Sequence, residues 1–296
     1  MDPKQTRARS AAVETQVRVS AVVVVHAAGA PLELCLRAAL AEPWIDELVI
    51  VDNGAPAPAA SALRALAADR RDVVLVQGQG DVGHAAGANL GAARAHGRWL
   101  MFIDSHVVLQ RGAAERMAAA GAEATAPWIV GARLVDTSGH ERASARVGRL
   151  TAWSALAVAC GIGAHRPKRT QRADAEQDGA LKVAAISGAL MLMPRADFDG
   201  LGGFDEVFAA GVADLDLCRR ASEAGGRILM QTAAAGVHFA PGAVDARQDS
   251  SALAAYVRRS AHSAPERAFA AIARPSLAAL VLLRRSLRFI FGAGVR

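Results

Sequence analysis

Four short β-branched or apolar runs, separated by segments of helical spacing, constrain this chain more than any other feature. Val17 to Val25, Glu47 to Val51, Val73 to Val76 and Trp99 to Ile103 each have strand length and a nearly continuous apolar character. Between them, Pro31 to Leu40, Ser61 to Asp69 and Ala85 to Ala95 have helical spacing, with Pro31 in a first turn and Ser61 placed to cap. Strands that alternate with helices predict a doubly wound, mostly parallel α/β sheet. In such a sheet ligands collect beyond the carboxyl ends of the strands. Two of the runs end there in a carboxylate, Asp52 and Asp104.

Beyond Gly112 the alternation loosens. Ala113 to Ala120 and Asp214 to Ala224 read as helices, the second closed by Gly225-Gly226. Ile129 to Leu134, Leu181 to Met193, Arg227 to Thr232 and Ala235 to His238 read as strands. His165 to Gly179 is polar and without period, and reads as a loop. The 296 residues, 52% of them hydrophobic, suffice for a sizeable core and exclude a disordered chain. The three cysteines, Cys35, Cys160 and Cys218, are too widely spaced for a zinc ribbon or a dithiol site and read as small buried residues.

The net charge of +6 is unevenly placed. From Arg247 onward nine arginines face only Asp249 and Glu266, which gives that segment +7 and leaves the remainder at −1. On a helical wheel from Pro275, Arg284, Arg285 and Arg288 share one face, and Leu282, Leu283, Leu287 and Ile290 the other. That pattern suits a helix lying on an anionic membrane surface, or one packed on the body with a solvated arginine face. No RNA-binding signature accompanies these arginines, so nucleic acid is not an expected partner. No segment reaches the ~20 apolar residues that a bilayer-spanning helix requires. Residues 1–16 are polar and lack the apolar core of a secretory signal. The expected organisation is a disordered tail at 1–16, one domain over 17–245 and a basic helical segment over 246–296.

Two readings compete for the glycine loop. Gly78-x-Gly80-x-x-Gly83 follows a strand and opens a helix, with Asp104 some twenty residues on, which formally fits a dinucleotide fingerprint and an NAD-dependent oxidoreductase. The alternative takes the motifs together. Leu48-Val-Ile-Val-Asp-Asn-Gly54, Asp81-Val-Gly-His-Ala-Ala-Gly-Ala-Asn-Leu-Gly91 and Leu100-Met-Phe-Ile-Asp-Ser-His106 are followed by Ser187-Gly188-Ala189, Gly202-Gly203-Phe204-Asp205-Glu206, Asp214-Leu-Asp-Leu-Cys218 and Val237-His238. In this order, over roughly residues 17–240, the series resembles the family-2 glycosyltransferases, of rhamnosyltransferase-like type.

The resemblance implies a GT-A fold with nucleotide-binding and acceptor halves in one domain, and inverting transfer from a nucleoside-diphosphate sugar, UDP- or dTDP-linked. It implies a glycan or lipid-linked acceptor, a role in cell-envelope polysaccharide synthesis, and a cytoplasmic protein peripheral to the inner face of the plasma membrane. It assigns Asp52 to the nucleotide, although Asp-Asn-Gly is also a strong turn sequence. Gly83 and Asn89 are the next donor contacts, Asn89 either bonding the donor or tying down its loop. Asp104-Ser105-His106 stands where the family carries an Asp-x-Asp metal motif. In an extended segment Asp104 and His106 point the same way and can share an ion, with His238 as a third ligand. With an imidazole in place of the second carboxylate, Mn²⁺ is expected over Mg²⁺. Ser187 and Gly188 fall beneath the donor sugar. Asp214 is the expected catalytic base and Asp216 the second candidate, while an N-cap would explain Asp214 equally well. The departures at His106 and at Ala213-Asp214, where the family has an acidic pair, also suit an inactive homologue that only binds sugar nucleotides.

Overall fold

A computed structural model describes residues 18–142, 146–147, 179–208 and 212–239. The tail at 1–16, the loop at 165–178, Cys160 and the basic segment from Arg247 lie outside the described residues. In the first half, β1 (Val19–Val25), β2 (Ile45–Asp52), β3 (Val73–Val76) and β4 (Trp99–Asp104) alternate with α1 (Ala30–Leu40), α2 (Ala57–Asp69) and α3 (His84–Arg94). Next come β5 (Val107–Leu109), α4 (Ala113–Ala122), β6 (Trp128–Val135) and β7 (Arg146–Val147). The described chain continues with β8 (Ala180–Lys182), β9 (Ala185–Ile186), β10 (Leu190–Pro194), α5 (Arg195–Gly200), α6 (Ala213–Glu223) and β11 (Arg227–His238).

The main sheet runs β3-β2-β1-β4-β10-β6-β11-β5, with β8 added to β11. From β3 to β4 every pairing is parallel, as βαβ units require. All seven residues of β1 are buried, because helices cover this part of the sheet on both faces. β10 is antiparallel to both β4 and β6, and it joins the parallel half to the second half. β6 and β11 are parallel to each other, with an irregularity between Gln231 and Ala235 that merges two expected strands into one. The result is a mixed, mostly parallel α/β sheet.

Several expectations need correction. Ser61 does not cap α2; the helix begins at Ala57 with Pro56 as its N-cap residue, because proline favours a first helical turn. Leu181 to Met193 is not one strand but parts of β8, β9 and β10, broken where Ser187-Gly188 turns toward α6. β5 and α5 were not anticipated, being too short to show a period.

Helix α3 seats its glycines directly on the sheet. A Cβ at Gly87 would stand 2.9 Å from Val24 Cγ1, and one at Gly91 would clash with Val22 Cγ1 and lie 3.0 Å from Val51 Cγ2. At the amino end of the strands the buried Glu47 carboxylate ties three segments together. It accepts hydrogen bonds from Ser20 Oγ and the His96 amide (2.8 Å) and pairs with His96 Nδ1 at 2.7 Å. Cys35 and Cys218 are buried and in no disulfide among the described residues, as expected of small apolar side chains.

Candidate active site

The register places the two strand-end carboxylates. Val25 of β1 pairs with Asp52 and Val24 with Asp104, so the two aspartates flank the carboxyl end of β1 at one level. Two strand spacings put them roughly 10 Å apart.

On the Asp52 side, Oδ1 accepts the Ala55 amide at 2.9 Å, which is the Asx turn that Asp-Asn-Gly predicts. Oδ2 has no partner among the described residues. The neighbouring Asn53 was not anticipated. It is buried, donates to Asp81 Oδ1 (2.9 Å), accepts the Val82 amide (3.0 Å) and faces His26 Nδ1 at 3.2 Å. Its own amide donates to Val25 O at 2.9 Å. Gln79 Nε2 donates to Asp52 O at 2.6 Å. These contacts fold the glycine loop over the ends of β1 and β2. Asp81 Oδ1 also accepts the Gly83 amide (2.9 Å), and Gly83, at φ 83°, turns the chain into α3 with open space on the side a Cβ would occupy.

The dinucleotide reading does not survive this topology. The glycine loop follows β3 at the sheet edge, and Asp104 ends β4, three strand positions from β3. In a dinucleotide fold the acidic residue ends the strand next to the one that precedes the loop.

Asn89 points to the other end of the chain. Its amide nitrogen donates to Phe204 O (2.9 Å) and Glu206 Oε1 (2.8 Å), and its oxygen accepts the Phe204 amide (2.9 Å). Both donor hydrogens are therefore committed to the loop at 202–206, the second of the two roles foreseen for it.

On the Asp104 side, a hydrogen-bond chain leads to the expected base. The Asp104 amide donates to Ala189 O (2.9 Å), and one residue earlier the Gly188 amide donates to Asp214 Oδ2 (2.8 Å). Ser187 Oγ accepts the Ala189 amide and braces this bend at 3.3 Å. A Cβ at Gly188 would stand 3.1 Å from Asp214 Cβ, so glycine admits the carboxylate against the backbone. Asp214 Oδ1 accepts the Leu215 amide at 2.8 Å. Asp214 is not the N-cap, which is Val212; it lies in the first turn of α6 and is buried. Asp216, also buried, is bound at both oxygens, by Arg219 at 2.8 Å and Arg220 at 2.7 Å. Asp216 is thus held as an ion-paired group, its charge balanced by two guanidinium groups, whereas the oxygens of Asp214 accept only neutral amides.

Asp104 and His106 meet, but not on extended backbone as expected: Ser105 and His106 form the turn between β4 and β5, and the Asp104 carboxylate caps it. Asp104 Oδ1 accepts the His106 amide at 2.8 Å and lies 3.1 Å from His106 Nδ1. Burial by itself would raise the Asp104 pKa, but the hydrogen bonds from His106 and the nearby His238 and His106 hold it at about 2. The bond to Asp104 raises the pKa of His106 against the opposing effect of burial. His238 is brought alongside by the β5–β11 pairing, which also bonds the Phe239 amide to His106 O at 2.9 Å. Burial lowers the His238 pKa, and its Nδ1 is buried with no hydrogen-bond partner among the described residues.

This donor set fits a divalent ion. Asp104 Oδ1 and His106 Nδ1 are separated by about the distance between neighbouring ligand atoms on an octahedral ion with ~2.1 Å bonds. His238 Nδ1 supplies a buried nitrogen that no described residue engages. Among the described residues no three acidic, histidine or cysteine side chains already converge as a closed metal site. Two or three protein donors would leave the remaining coordination to a ligand's oxygens.

His84, the first residue of α3, also belongs here although no partner for it was legible in the sequence. It feels the charges of both Asp104 and Asp214, and its ring stands 6.2 Å from that of His26. Its position directly after Gly83 at a helix start was the available signal.

A sequence model of the family described as Glycosyl transferase family 2 matches residues 20–180, more than half of the chain. No curated protein sequence matches the chain. Among solved structures, GalNAc-T7 with UDP, GalNAc and Mn²⁺ is similar with a TM-score of 0.60 and 14% identity, over 77% of this chain and 44% of that one. Mannosyltransferase PcManGT from Pyrobaculum calidifontis, in complex with GDP-Man and Mn²⁺, gives a TM-score of 0.59 and 18% identity over 92% and 80% of the two chains. TarS 1–349 from S. aureus gives 0.54 and 13% over 86% and 68%. The chain thus spans less than half the length of the first of these structures. At such identities the likeness speaks for the fold, and that fold is GT-A. Together with the family match over the nucleotide half, it establishes that the chain belongs to glycosyl transferase family 2.

Proposed function

We propose that the protein is an inverting glycosyltransferase that uses a nucleoside-diphosphate sugar, UDP- or dTDP-linked, with rhamnosyltransferase-like chemistry. The observation that carries this reading is the hydrogen-bond chain from Asp104 through Ala189 and Gly188 to Asp214, which holds a diphosphate-side carboxylate and a candidate base in one site. Two of the similar structures contain Mn²⁺ with UDP or GDP-Man, which supports a metal and a nucleotide donor here.

In this reading Asp52 accepts hydrogen bonds from the nucleotide through its free oxygen, and the open side of Gly83 lets the donor approach the backbone. Asp104, His106 and His238 would hold a divalent ion, Mn²⁺ rather than Mg²⁺, which when bound neutralises charge on the leaving diphosphate. Asp214 accepts the proton of the acceptor hydroxyl. The acceptor oxygen forms the new bond to the anomeric carbon from the face opposite the diphosphate. The carbon–oxygen bond to that diphosphate breaks, its electron pair leaves with the nucleotide, and the configuration inverts. Gly188 and Leu215 amides fix both oxygens of Asp214, so the base meets the acceptor in one orientation. Ser187 and Gly188 form the floor of the sugar subsite.

The acceptor proposed is a glycan or its lipid-linked precursor, with a role in cell-envelope polysaccharide synthesis. The basic segment from Arg247 supports a cytoplasmic protein peripheral to an anionic membrane face. Among the described residues no helix is long and apolar enough to cross a membrane.

Calorimetric titration tests the reading. UDP or dTDP should bind in the presence of Mn²⁺, and NADH should not. Asp214→Asn should lower kcat by about 10²–10⁴-fold, the usual contribution of a general base, with donor affinity nearly unchanged. Full activity in that variant refutes the assignment of the base. Tight NADH binding without any nucleoside-diphosphate binding refutes the whole reading.

A further inference from the structure

The side chain of Asn89 joins two parts of the site that lie more than a hundred residues apart along the chain. Asn89 stands in the second turn of α3, the helix that the Asn53–Asp81–Gly83 contacts start on the nucleotide side. It meets Phe204 as a strand partner would, accepting the Phe204 amide at 2.9 Å and donating to Phe204 O at 2.9 Å. Its other hydrogen goes to Glu206 Oε1 at 2.8 Å. Gly203, at φ 69°, admits this approach, since a Cβ there would stand 2.8 Å from Asn89 Oδ1. The Phe204 ring packs 4.9 Å from Phe102 of β4, two residues before Asp104. From the other side Arg220 of α6 donates to Leu201 O and to Gly203 O, the latter at 2.7 Å. The same helix carries Asp214, whose Oδ2 accepts the Gly188 amide. The loop at 201–206 is thus bonded to the nucleotide helix through Asn89 and to the base helix through Arg220.

We infer that Asn89 is a positioning residue for the transfer: it sets the loop at 201–206, and through that loop the helix bearing Asp214, against the nucleotide half of the site. It does so without touching substrate, because both of its donor hydrogens are taken by the loop. The amide is the group this task requires. It offers two donors and an acceptor in one plane and carries no charge. A carboxylate in its place would keep the bond from the Phe204 amide, lose the other two, and set a second negative charge against Glu206. In-line transfer is sensitive to such a link, since a base misplaced by ~1 Å can cost about 10²-fold in rate.

This role of Asn89 rests on the nucleotide-sugar reading, and three measurements on the full chain with Mn²⁺ keep the two apart. They are the affinity for UDP, dTDP and GDP; the transfer of sugar to water, followed as nucleoside diphosphate released from UDP-glucose, UDP-N-acetylglucosamine, dTDP-rhamnose and GDP-mannose; and the hydrogen exchange of the Gly188 amide, which reports its bond to Asp214. Asn89→Ala should leave the affinity for the best-bound nucleoside diphosphate within about twofold, slow the release by about 10–100-fold, and speed Gly188 exchange by about tenfold. Asn89→Asp should be at least as impaired. Glu206→Gln keeps an acceptor for Asn89 and should match the wild type. Asn89→Asp combined with Glu206→Gln lets the new amide donate to the new carboxylate, so it should recover part of the loss, and it serves where the alanine variant does not fold. Unchanged Gly188 exchange in Asn89→Ala and Asn89→Asp overturns the inference, and so does faster exchange with undiminished release; where the transfer to water is too slow to follow, the exchange decides. A nucleoside-diphosphate affinity that falls as far as the rate would make Asn89 a nucleotide contact and overturns it as well. Loss of turnover in Glu206→Gln alone does the same, since the loop carboxylate would then be the working group. A wild type that binds none of the nucleoside diphosphates overturns the nucleotide-sugar reading, and the role of Asn89 with it.

Discussion

Asp214 and Asp216 sit two residues apart in the first turns of α6, both buried, and they differ in what holds them. Asp216 is 3% exposed and receives Arg219 at 2.8 Å and Arg220 at 2.7 Å. Arg220 in turn donates to Leu201 O and to Gly203 O, the latter at 2.7 Å, so this carboxylate anchors the loop that Asn89 grips from the other side. Removing one partner of a buried pair costs about 3–5 kcal/mol, because the remaining charge stays desolvated. Here both guanidinium groups keep some exposure, 20% and 23%, and Arg220 keeps its carbonyl acceptors, which reduces the figure to about 2–4 kcal/mol. For a domain of this size that is a fall in Tm of about 6–12 °C. Asp216→Asn is therefore expected to melt well below the wild type, yet to turn over normally at temperatures where it is folded. Asp214→Asn exchanges one of two amide hydrogen bonds, a loss of about 1 kcal/mol, and should melt close to the wild type without turning over. Thermal unfolding by circular dichroism beside donor turnover at low temperature separates the two. An Asp216→Asn protein with unchanged Tm and lost turnover would mean that the arginine clamp does not describe the working state, and that the assignments must be exchanged.

Two further expectations follow from the packing. Gly91→Ala adds a methyl against Val22 and Val51, and this overpacking of about 1–3 kcal/mol outweighs the ~1 kcal/mol that alanine gains in a helix. A lowered urea midpoint, restored in part by Val22→Ala in the double variant, is the expected result; a stabilised Gly91→Ala would show that α3 can lift off the sheet without cost. At the opposite end of the strands, burial raises the Glu47 pKa, but hydrogen bonds from the His96 ring, Ser20 and the His96 amide outweigh it and hold the carboxyl below its ordinary 4.5. A depressed folded pKa gives stability that is present above the unfolded value and is lost as pH falls through the folded one. Tm should therefore fall on acidification below about pH 4.5, and Glu47→Gln should flatten that fall, leaving the part due to Asp104 and the other carboxylates. An identical acid slope in the variant would refute the role of this network.

The parts of the site written in the sequence are those set by one chain segment at a time. A β-branched run that stops at an aspartate is a strand ending at the ligand face, and the parallel register then levels Asp52 with Asp104 without further information. Asp104 and His106 meet because an aspartate at a turn readily accepts the amide two residues on, which brings the two side chains together. The clamp on Asp216 was equally local, since Arg219 and Arg220 lie three and four residues on along a helix face, and it was legible to anyone who asked where that carboxylate's partners were.

What stayed hidden depends on contacts between distant segments. Asn53 finds Asp81 and Val82 across nearly thirty residues, and Asn89 finds Phe204 and Glu206 across more than a hundred. Neither pairing has a period that a single segment could reveal. The decisive case is β10. Its sequence reads as any buried strand, yet its antiparallel insertion between β4 and β6 is what carries Ala189 to Asp104 and Gly188 to Asp214. Had it joined the sheet in parallel at an edge, the same motifs in the same order would have left Asp214 with no bond path to Asp104. The order of motifs along the chain identifies their family, but the chemistry depends on the one strand whose direction the sequence does not declare.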